Sequence, residues 1–348
     1  MLNSCNMSQL TFPILKLLAD GQFHSGEALA QRFKVTRTTI WNAVKHAESL
    51  GVEVFSVRGR GYKLPQAIEL LDEKLVLAAI GEQRAWFKLE ILNEVASTNT
   101  YLMQQKSIAH ATCVAAHMQT KGKGRRGRTW VSQLGASLTF SLIWRFSCGA
   151  AGLSGLSLAV GVALIRAFNS LDVNNVQLKW PNDVLVLEDY TSEKNMPKKL
   201  AGILIELQGD LEGPSAAVIG VGVNLNLPKN VLDSIDQPAI DLMSASERSV
   251  NQGKINQSML LGIILKHLSE VLSTFESLGF VGLRDEWLSY HAYQNKPVKM
   301  LLPNGTEVIG TVKNVADDGI LLVETPLGIQ RFSAGEISLR GLNVGGNE

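Results

Sequence analysis

Three cysteines in 348 residues, Cys5, Cys113 and Cys148, are too few and too widely spaced for a disulfide framework or a thiolate metal site. The six histidines include no i, i+4 pair, so helical metal-binding motifs are missing and no metal held by protein side chains is expected. The start of the chain has neither the basic region nor the small-residue cleavage pattern of an export signal. One stretch, Cys148 to Ile165, is uncharged and long enough to be weighed as a membrane span. Its Gly, Ala and Ser content and the Arg166 that ends it fit a buried core helix better. A cytoplasmic protein without a membrane partner is therefore expected. Repeats and low-complexity tracts are lacking too. With 45% hydrophobic residues, a chain of this length can build two or three domains with ample core.

The most informative absence is local. No acidic residue occurs between Glu94 and Asp172, while Lys106, Lys121, Lys123, Arg125, Arg126, Arg128, Arg145 and Arg166 fall inside that window. The whole chain carries only +1, so positive charge is concentrated here. At its centre stands Lys121-Gly-Lys-Gly-Arg-Arg-Gly-Arg128, where Gly122, Gly124 and Gly127 let backbone approach a ligand among converging cations. That is a loop built to hold phosphate. Gly122-x-Gly124-x-x-Gly127 fits the dinucleotide fingerprint, and Gly122 to Thr129 nearly fits a P-loop. Both motifs need a strand before and a helix after. A strand-like Ala111 to His117 does precede the loop, but Ser137 to Trp144 alternates like another strand, and no acidic ribose partner follows. Both matches are accidental.

Three grammars follow one another. Residues 1–66 read as short helices and a hairpin. A first helix over Leu10 to Ala19 would hold Pro13 in its first turn, Ser25 would cap a second, and Thr36 a third that Gly51 stops. In the third helix Ile40, Val44 and Ala47 form the inner stripe, leaving Arg37, Thr38, Thr39, Asn42, Lys45 and His46 opposite. The tip Arg58-Gly-Arg60-Gly then joins two short strands. Helix–turn–helix plus a basic-tipped hairpin predicts a winged helix that binds DNA, through Arg37, Thr38, Thr39, Asn42 and Lys45 in a groove and Arg58 and Arg60 on phosphate. A small protein-interaction domain with a solvated polar face is the alternative. Residues 67–292 alternate strands and helices, including a core helix over Leu153 to Leu171, a strand-like Val176 to Leu187, strands from Lys199 and Ala217, and an amphipathic helix from Met259 to Leu278. Residues 293–342 change to short strands with turns at Asn304-Gly305, Asp318-Gly319 and Leu327-Gly328, the pattern of a small SH3-like β-barrel.

Four further segments of the middle domain carry chemistry. Ser97-Thr98-Asn99 offers two hydroxyls and an amide at a helix start, Lys179-Trp-Pro-Asn182-Asp183 packs a cation and a carboxylate into one turn, Lys199 opens an apolar strand, and Gly220-Val-Gly222-Val-Asn224 admits a flat ligand. Each has a plainer reading on its own: a cap, a turn, a solvated flank, a tight strand crossing. In this order, together with Gly122 to Arg128, they resemble the bifunctional biotin–protein ligases and biotin operon repressors (the BirA family), over nearly the full length.

The resemblance implies an α+β multidomain chain: a winged helix, a mixed α/β ligase domain of the biotin/lipoate, class II synthetase-like kind, and an SH3-like barrel. It implies ATP with Mg²⁺ and biotin as small molecules. Biotin carboxyl carrier protein and operator DNA are the implied partners, with a homodimer formed when biotinyl-AMP is bound. Ser97, Thr98, Asn99 and Gln119 would line the biotin pocket, with Lys123, Gly124 and Arg125 closing over it and Lys199 on the carboxylate and α-phosphate. Gly122, Arg126, Arg128, Trp130, Lys179, Asn182 and Asn224 would meet ATP or the adenylate, and Lys199, Arg125 and Asp183 would carry the catalysis, Asp183 close to Mg²⁺. Lys123 stands where the family usually has arginine and loses the planar fork. The polar Glu188 to Lys198 stretch is long for the family and reads as an extended surface hairpin. A lipoate–protein ligase would share fold and lysine but leaves the winged helix unexplained; a pure transcription factor leaves the basic loop unexplained. An RNA-binding protein lacks interleaved aromatics in that loop.

Overall fold

The computed structural model describes residues 4–105, 107–187, 197–209, 213–246, 255–334 and 338–341. Lys106 and most of the stretch expected as a surface hairpin, 188–196, lie outside them.

Helices α1 (Ser4–Leu18), α2 (Gly26–Phe33) and α3 (Arg37–Ser49) precede a hairpin of β1 (Phe55–Val57) and β2 (Gly61–Lys63). Ser25 and Thr36 cap as expected, their hydroxyls accepting the N–H of Ala28 and Thr39. The first helix starts earlier than Leu10, which places Pro13 in its interior; a proline costs only the bond its missing N–H would make, and here Phe12, Ile14 and Leu15 on either side are buried.

The central domain runs α4 (Glu73–Ile80), β3 (Lys88–Val95), α5 (Thr98–Met103), β4 (Thr112–Gln119), β5 (Ser137–Phe146), α6 (Leu156–Asn169), β6 (Val176–Lys179), β7 (Asp183–Val186), β8 (Lys198–Gly209), β9 (Ser215–Asn224), α7 (Lys229–Leu232), α8 (Leu242–Ser246), α9 (Gln257–Leu278) and α10 (Arg284–Ser289). Its sheet has the order β3-β4-β5-β9-β8-β7-β6, parallel between β3 and β4 and antiparallel elsewhere. Val176 to Leu187 is thus a hairpin, not one strand: the Trp180–Pro181 bond is cis and turns the chain between β6 and β7.

Period-2 alternation decides what each face of this sheet does. In β5, Leu138, Phe140, Leu142 and Trp144 join the main core, while Ser137, Thr139 and Ser141, buried too, point the other way. In β9, Ala217, Ile219, Val221 and Val223 join the core, and Gly220, Gly222 and Asn224 face with the serines. The apolar helices α6 and α9 pack on the core side. Both are long and apolar enough to cross a membrane, and both are mostly buried inside the fold. The opposite face, small and polar, carries the site.

The last unit is a five-stranded antiparallel sheet of β10 (Pro297–Leu301), β11 (Glu307–Val315), β12 (Leu321–Thr325), β13 (Gly328–Phe332) and β14 (Ser338–Gly341), in the order β13-β12-β11-β10-β14. It is not an appended bead. Val298, Met300, Val312 and Val323 belong to the same apolar cluster as the central sheet. Trp180 Nε1 donates to Gly319 O at 3.1 Å. The winged helix has its own cluster, yet Leu134 from the central domain is buried in it.

Candidate active site

The basic loop is folded, not extended. Lys123 and Thr129 form a bridge, Gly124 N–H donates to Arg128 O at 2.7 Å, and Arg126 takes a left-handed φ of 57°. As expected, a strand follows and no helix N-terminus is offered. The loop covers the polar face of the sheet, and between them lies a cavity. Ser97, Thr98, Asn99, Gln119, Lys123, Gly124, Arg125, Arg128, Trp130, Lys179, Asn182, Asp183, Lys199 and Asn224 all line it. The structure thus brings together every expected residue of the middle domain except Gly122 and Arg126. Gly122 is buried behind Trp130, where a Cβ would come 2.5 Å from Trp130 O, and Arg126 faces an adjoining groove.

At one end the wall is polar and neutral. Ser97 caps α5, accepting Thr100 N–H at 3.4 Å. Gln119 Oε1 accepts Thr98 N–H at 2.7 Å, and Thr98 Oγ1 lies 3.1 Å from the same oxygen. Ser141 Oγ lies 2.7 Å from Thr98 Oγ1 and 2.5 Å from Asn99 Oδ1. Asn99 Nδ2 donates to Glu206 Oε2 at 2.8 Å. Gly220 is required here, since a Cβ would fall 2.1 Å from Asn99 Oδ1.

The other end is cationic. Lys123, Arg125, Arg128, Lys179, Lys199 and Arg340 line the cavity, and among the described residues Asp183 is the one carboxylate on its wall. Lys199 Nζ pairs with Asp183 Oδ1 at 2.7 Å, with side chains only 14% and 13% exposed. Its start-of-strand position is fixed by the segment before α8: Lys199 N–H donates to Pro238 O and Ile240 N–H to Lys199 O. Asn224 Nδ2 holds the same seam, donating to Ile240 O at 3.1 Å. Lys199 is therefore no solvated flank. Burial pushes the Lys179 ammonium down to about 8, with Arg340, Lys199 and Arg128 adding repulsion that Asp183 partly offsets. Arg125, its guanidinium pKa lowered by burial, donates to Asn182 Oδ1 at 3.1 Å and to Ala334 O of the last domain. Trp130 lies across the sheet floor: a Cβ at Gly222 would meet its ring at 2.4 Å, and Lys199 Nζ sits 5.7 Å from its centroid. Its Nε1 is buried without a partner among the described residues.

No group of three potential His, Cys, Asp or Glu metal ligands occurs among the described residues. A divalent ion would come with a phosphate ligand, as part of the substrate, with Asp183 its available carboxylate. Sequence reasoning missed Ser141 and Glu206, which act behind the wall, and Gln237, Ala239 and Arg340, which reach it from distant segments. Nothing local in the sequence marks them.

On the winged helix, Arg37, Thr38, Lys45, Arg58 and Arg60 are exposed, while Thr39 and Asn42 are half-buried. The Thr39 hydroxyl is 2.9 Å from that of Thr36. Trp41, half exposed between Arg37 and Lys45, is an unforeseen member of this face. Arg60 lies over the Phe23 ring at 4.2 Å. His46 was expected on this face and is not there. It turns inward to Thr11 Oγ1 (3.0 Å) and to Glu94 Oε2 of β3 (3.4 Å), because the winged helix docks on the central domain. Gln133 Nε2 donates to Gly51 O across this interface, and Phe12 stacks on the buried His117 at 5.6 Å.

Comparison with known proteins gives this arrangement a context. Residues 92–224 match the biotin/lipoate A/B protein ligase family, residues 11–63 an HTH domain, and residues 294–340 the biotin protein ligase C terminal domain. The bifunctional ligase/repressor BirA of Salmonella typhimurium is 34% identical over 338 residues, covering 96% of this chain and 99% of its own. BirA of Escherichia coli K12 is 33% identical with the same coverage. The structure of biotin protein ligase from Aquifex aeolicus in complex with biotin and ATP superposes with a TM-score of 0.58 at 29% identity, over 73% of this chain and 99% of that one. With similarity running through all three units at this identity, the chain belongs to the family of bifunctional BirA ligase/repressors.

Proposed function

We propose that the chain is a biotin–protein ligase that also represses a biotin operon. It joins biotin to ATP as biotinyl-5′-AMP and passes the biotinyl group to a lysine of the biotin carboxyl carrier protein of acetyl-CoA carboxylase. The observation that carries this is one cavity with a neutral hydrogen-bonding end and an end where six cations face one carboxylate. A molecule with a polar neutral head and an anionic tail fits the first, and a polyphosphate the second.

The chemistry needs that asymmetry. A carboxylate must approach the α-phosphorus of MgATP, anion to anion, and pyrophosphate must leave. Charge that builds on the pentavalent phosphorus is best stabilised by donors already in place. Lys199 bridges carboxylate and α-phosphate; Asp183 holds its ammonium until substrates arrive, then is free for the Mg²⁺ that ATP brings. Lys179, Arg128 and Arg340 take the polyphosphate. Lys123, Gly124 and Arg125 close over the adenylate and keep water out. Ser97, Thr98, Asn99 and Gln119 hold the biotin head, with Trp130, Asn182 and Asn224 beside the nucleotide. The carrier lysine amine then attacks the acyl carbon and AMP departs, so no protein nucleophile is required.

We assign residues 1–66 to DNA binding, 67–292 to catalysis and 293–342 to the SH3-like unit, the last two sharing one core. The adenylate acts as co-repressor by favouring a homodimer on operator DNA, in the cytoplasm where the carrier protein is made. Biotin-dependent ATP–pyrophosphate exchange tests the assignment. Exchange with lipoate in place of biotin, or none with either, refutes it. Sedimentation with and without biotinyl-AMP tests the dimer.

A further inference from the structure

We propose that Glu206, which does not line the cavity, sets the hydrogen-bond polarity of the biotin pocket through Asn99, Ser141 and Thr98. The inference rests on reading that pocket as the biotin site. Three oxygen–oxygen contacts run in series: Asn99 Oδ1 to Ser141 Oγ at 2.5 Å, Ser141 Oγ to Thr98 Oγ1 at 2.7 Å, and Thr98 Oγ1 to Gln119 Oε1 at 3.1 Å. Two hydroxyls supply two protons for these three contacts. One contact must go without, and facing lone pairs repel least where the oxygens are farthest apart. The protons therefore fall on the two shorter contacts. Ser141 donates to Asn99, and Thr98 donates to Ser141. Gln119 Oε1 keeps the backbone N–H of Thr98 at 2.7 Å.

The sense of this relay is fixed at Asn99. Its Nδ2 donates to Glu206 Oε2 at 2.8 Å and to Leu204 O at 3.3 Å. A carboxylate and a carbonyl only accept, so the amide cannot flip and Oδ1 must face Ser141. Thr98 then has no proton left for a ligand: its hydroxyl is an obligate acceptor. Gln119, with Oε1 engaged, has Nε2 as its remaining donor. A cyclic urea, with N–H groups flanking a carbonyl, complements that pair. Without Glu206 one long contact to Leu204 would hold the amide. A flipped Asn99 would donate to Ser141, turn its proton toward Thr98, and release the Thr98 proton to the cavity.

Glu206 is thus a positioning residue, and its effect is on selectivity. The probes are biotin and its two cyclic-carbamate analogues, each with one ureido N–H replaced by oxygen, titrated calorimetrically into the full chain. An oxygen facing an obligate acceptor leaves two lone pairs opposed, so the wild type should reject at least one carbamate by on the order of a hundred-fold or more. In Glu206→Met that ratio should shrink by about ten-fold or more, because Thr98 can now donate. Ser141→Ala cuts the relay one link further in and should shrink it alike. Glu206→Gln still offers Asn99 an oxygen and should keep the wild-type ratio. General damage to the pocket would weaken all three ligands together and leave the ratio unchanged. An unchanged ratio in Glu206→Met or Ser141→Ala beside measurable biotin binding overturns the polarity alone, as does a Glu206→Gln variant that behaves like Met. A wild type that binds no biotin overturns it together with the reading beneath.

Discussion

Replacing Lys199 by Met removes one charge and two interactions. At 2.7 Å from Asp183 Oδ1, and with an effective dielectric near 20, the gross attraction is about 6 kcal/mol, most of it spent on desolvating both groups. What the variant feels is different: a carboxylate 13% exposed is left without its partner, at a cost of about 3 kcal/mol. The melting temperature should drop by about 6–12 °C. Adenylate formation should fall by a hundred-fold or more, the scale for losing one preorganised electrostatic donor. These two losses separate in the double variant Asp183→Asn/Lys199→Met. There the unpaired charge is gone, so stability should return while the rate stays low. The assay is single-turnover formation of biotinyl-AMP, with biotin affinity measured in parallel, since Ser97, Thr98 and Gln119 remain. Near-normal adenylation in Lys199→Met, or a rate that recovers together with stability, would refute a direct role for this ammonium.

Other outcomes follow from the same geometry. Lys179, pushed down to about 8, should take up a proton when ATP binds, so calorimetric affinity should weaken as pH rises through about 8. The unfolded chain keeps that proton up to its ordinary value, so the ligand-free protein should gain stability between about pH 8 and 10.5; Lys179→Met should abolish both trends. Arg125→Gly, which cuts the loop from Asn182 and Ala334, should speed biotinyl-AMP release by about ten- to a hundred-fold, read by stopped-flow chase. Changing Arg58 and Arg60 to Ala should flatten the salt dependence of DNA binding by up to about two units of slope. Removing residues up to Leu64 should abolish DNA binding and spare ligation, but exposing Leu134 and His117 should cost adenylate retention.

What the sequence reveals is whatever is stated within a few residues. Ser97 before an apolar turn, Thr36 before a helical stripe, and glycine-spaced arginines between two alternating runs are local signals, and all of them folded as read. Pro13 misplaced a helix start because proline marks a first turn only when no tertiary packing extends the helix. His46 was assigned by its own helix, but its direction was decided by Glu94 of another domain. Ser141, Glu206 and Arg340 join the site by register and docking: Ser141 pairs across to Gly220, which pairs to Leu204, two residues before Glu206. Such adjacency exists only once the strands are aligned.

The cavity wall that ends in Leu339 and Arg340 has a temporal side. Roughly 240 residues separate Ser97 from Arg340, and at about 5–20 residues per second a ribosome needs on the order of tens of seconds to travel between them. The winged helix closes its own cluster from neighbouring residues long before that, with Leu134 the latest contributor. A nascent chain therefore carries a folded DNA-reading head while its cavity still lacks a side. Only a molecule translated through β14 can hold the small molecule that tells the head what to do.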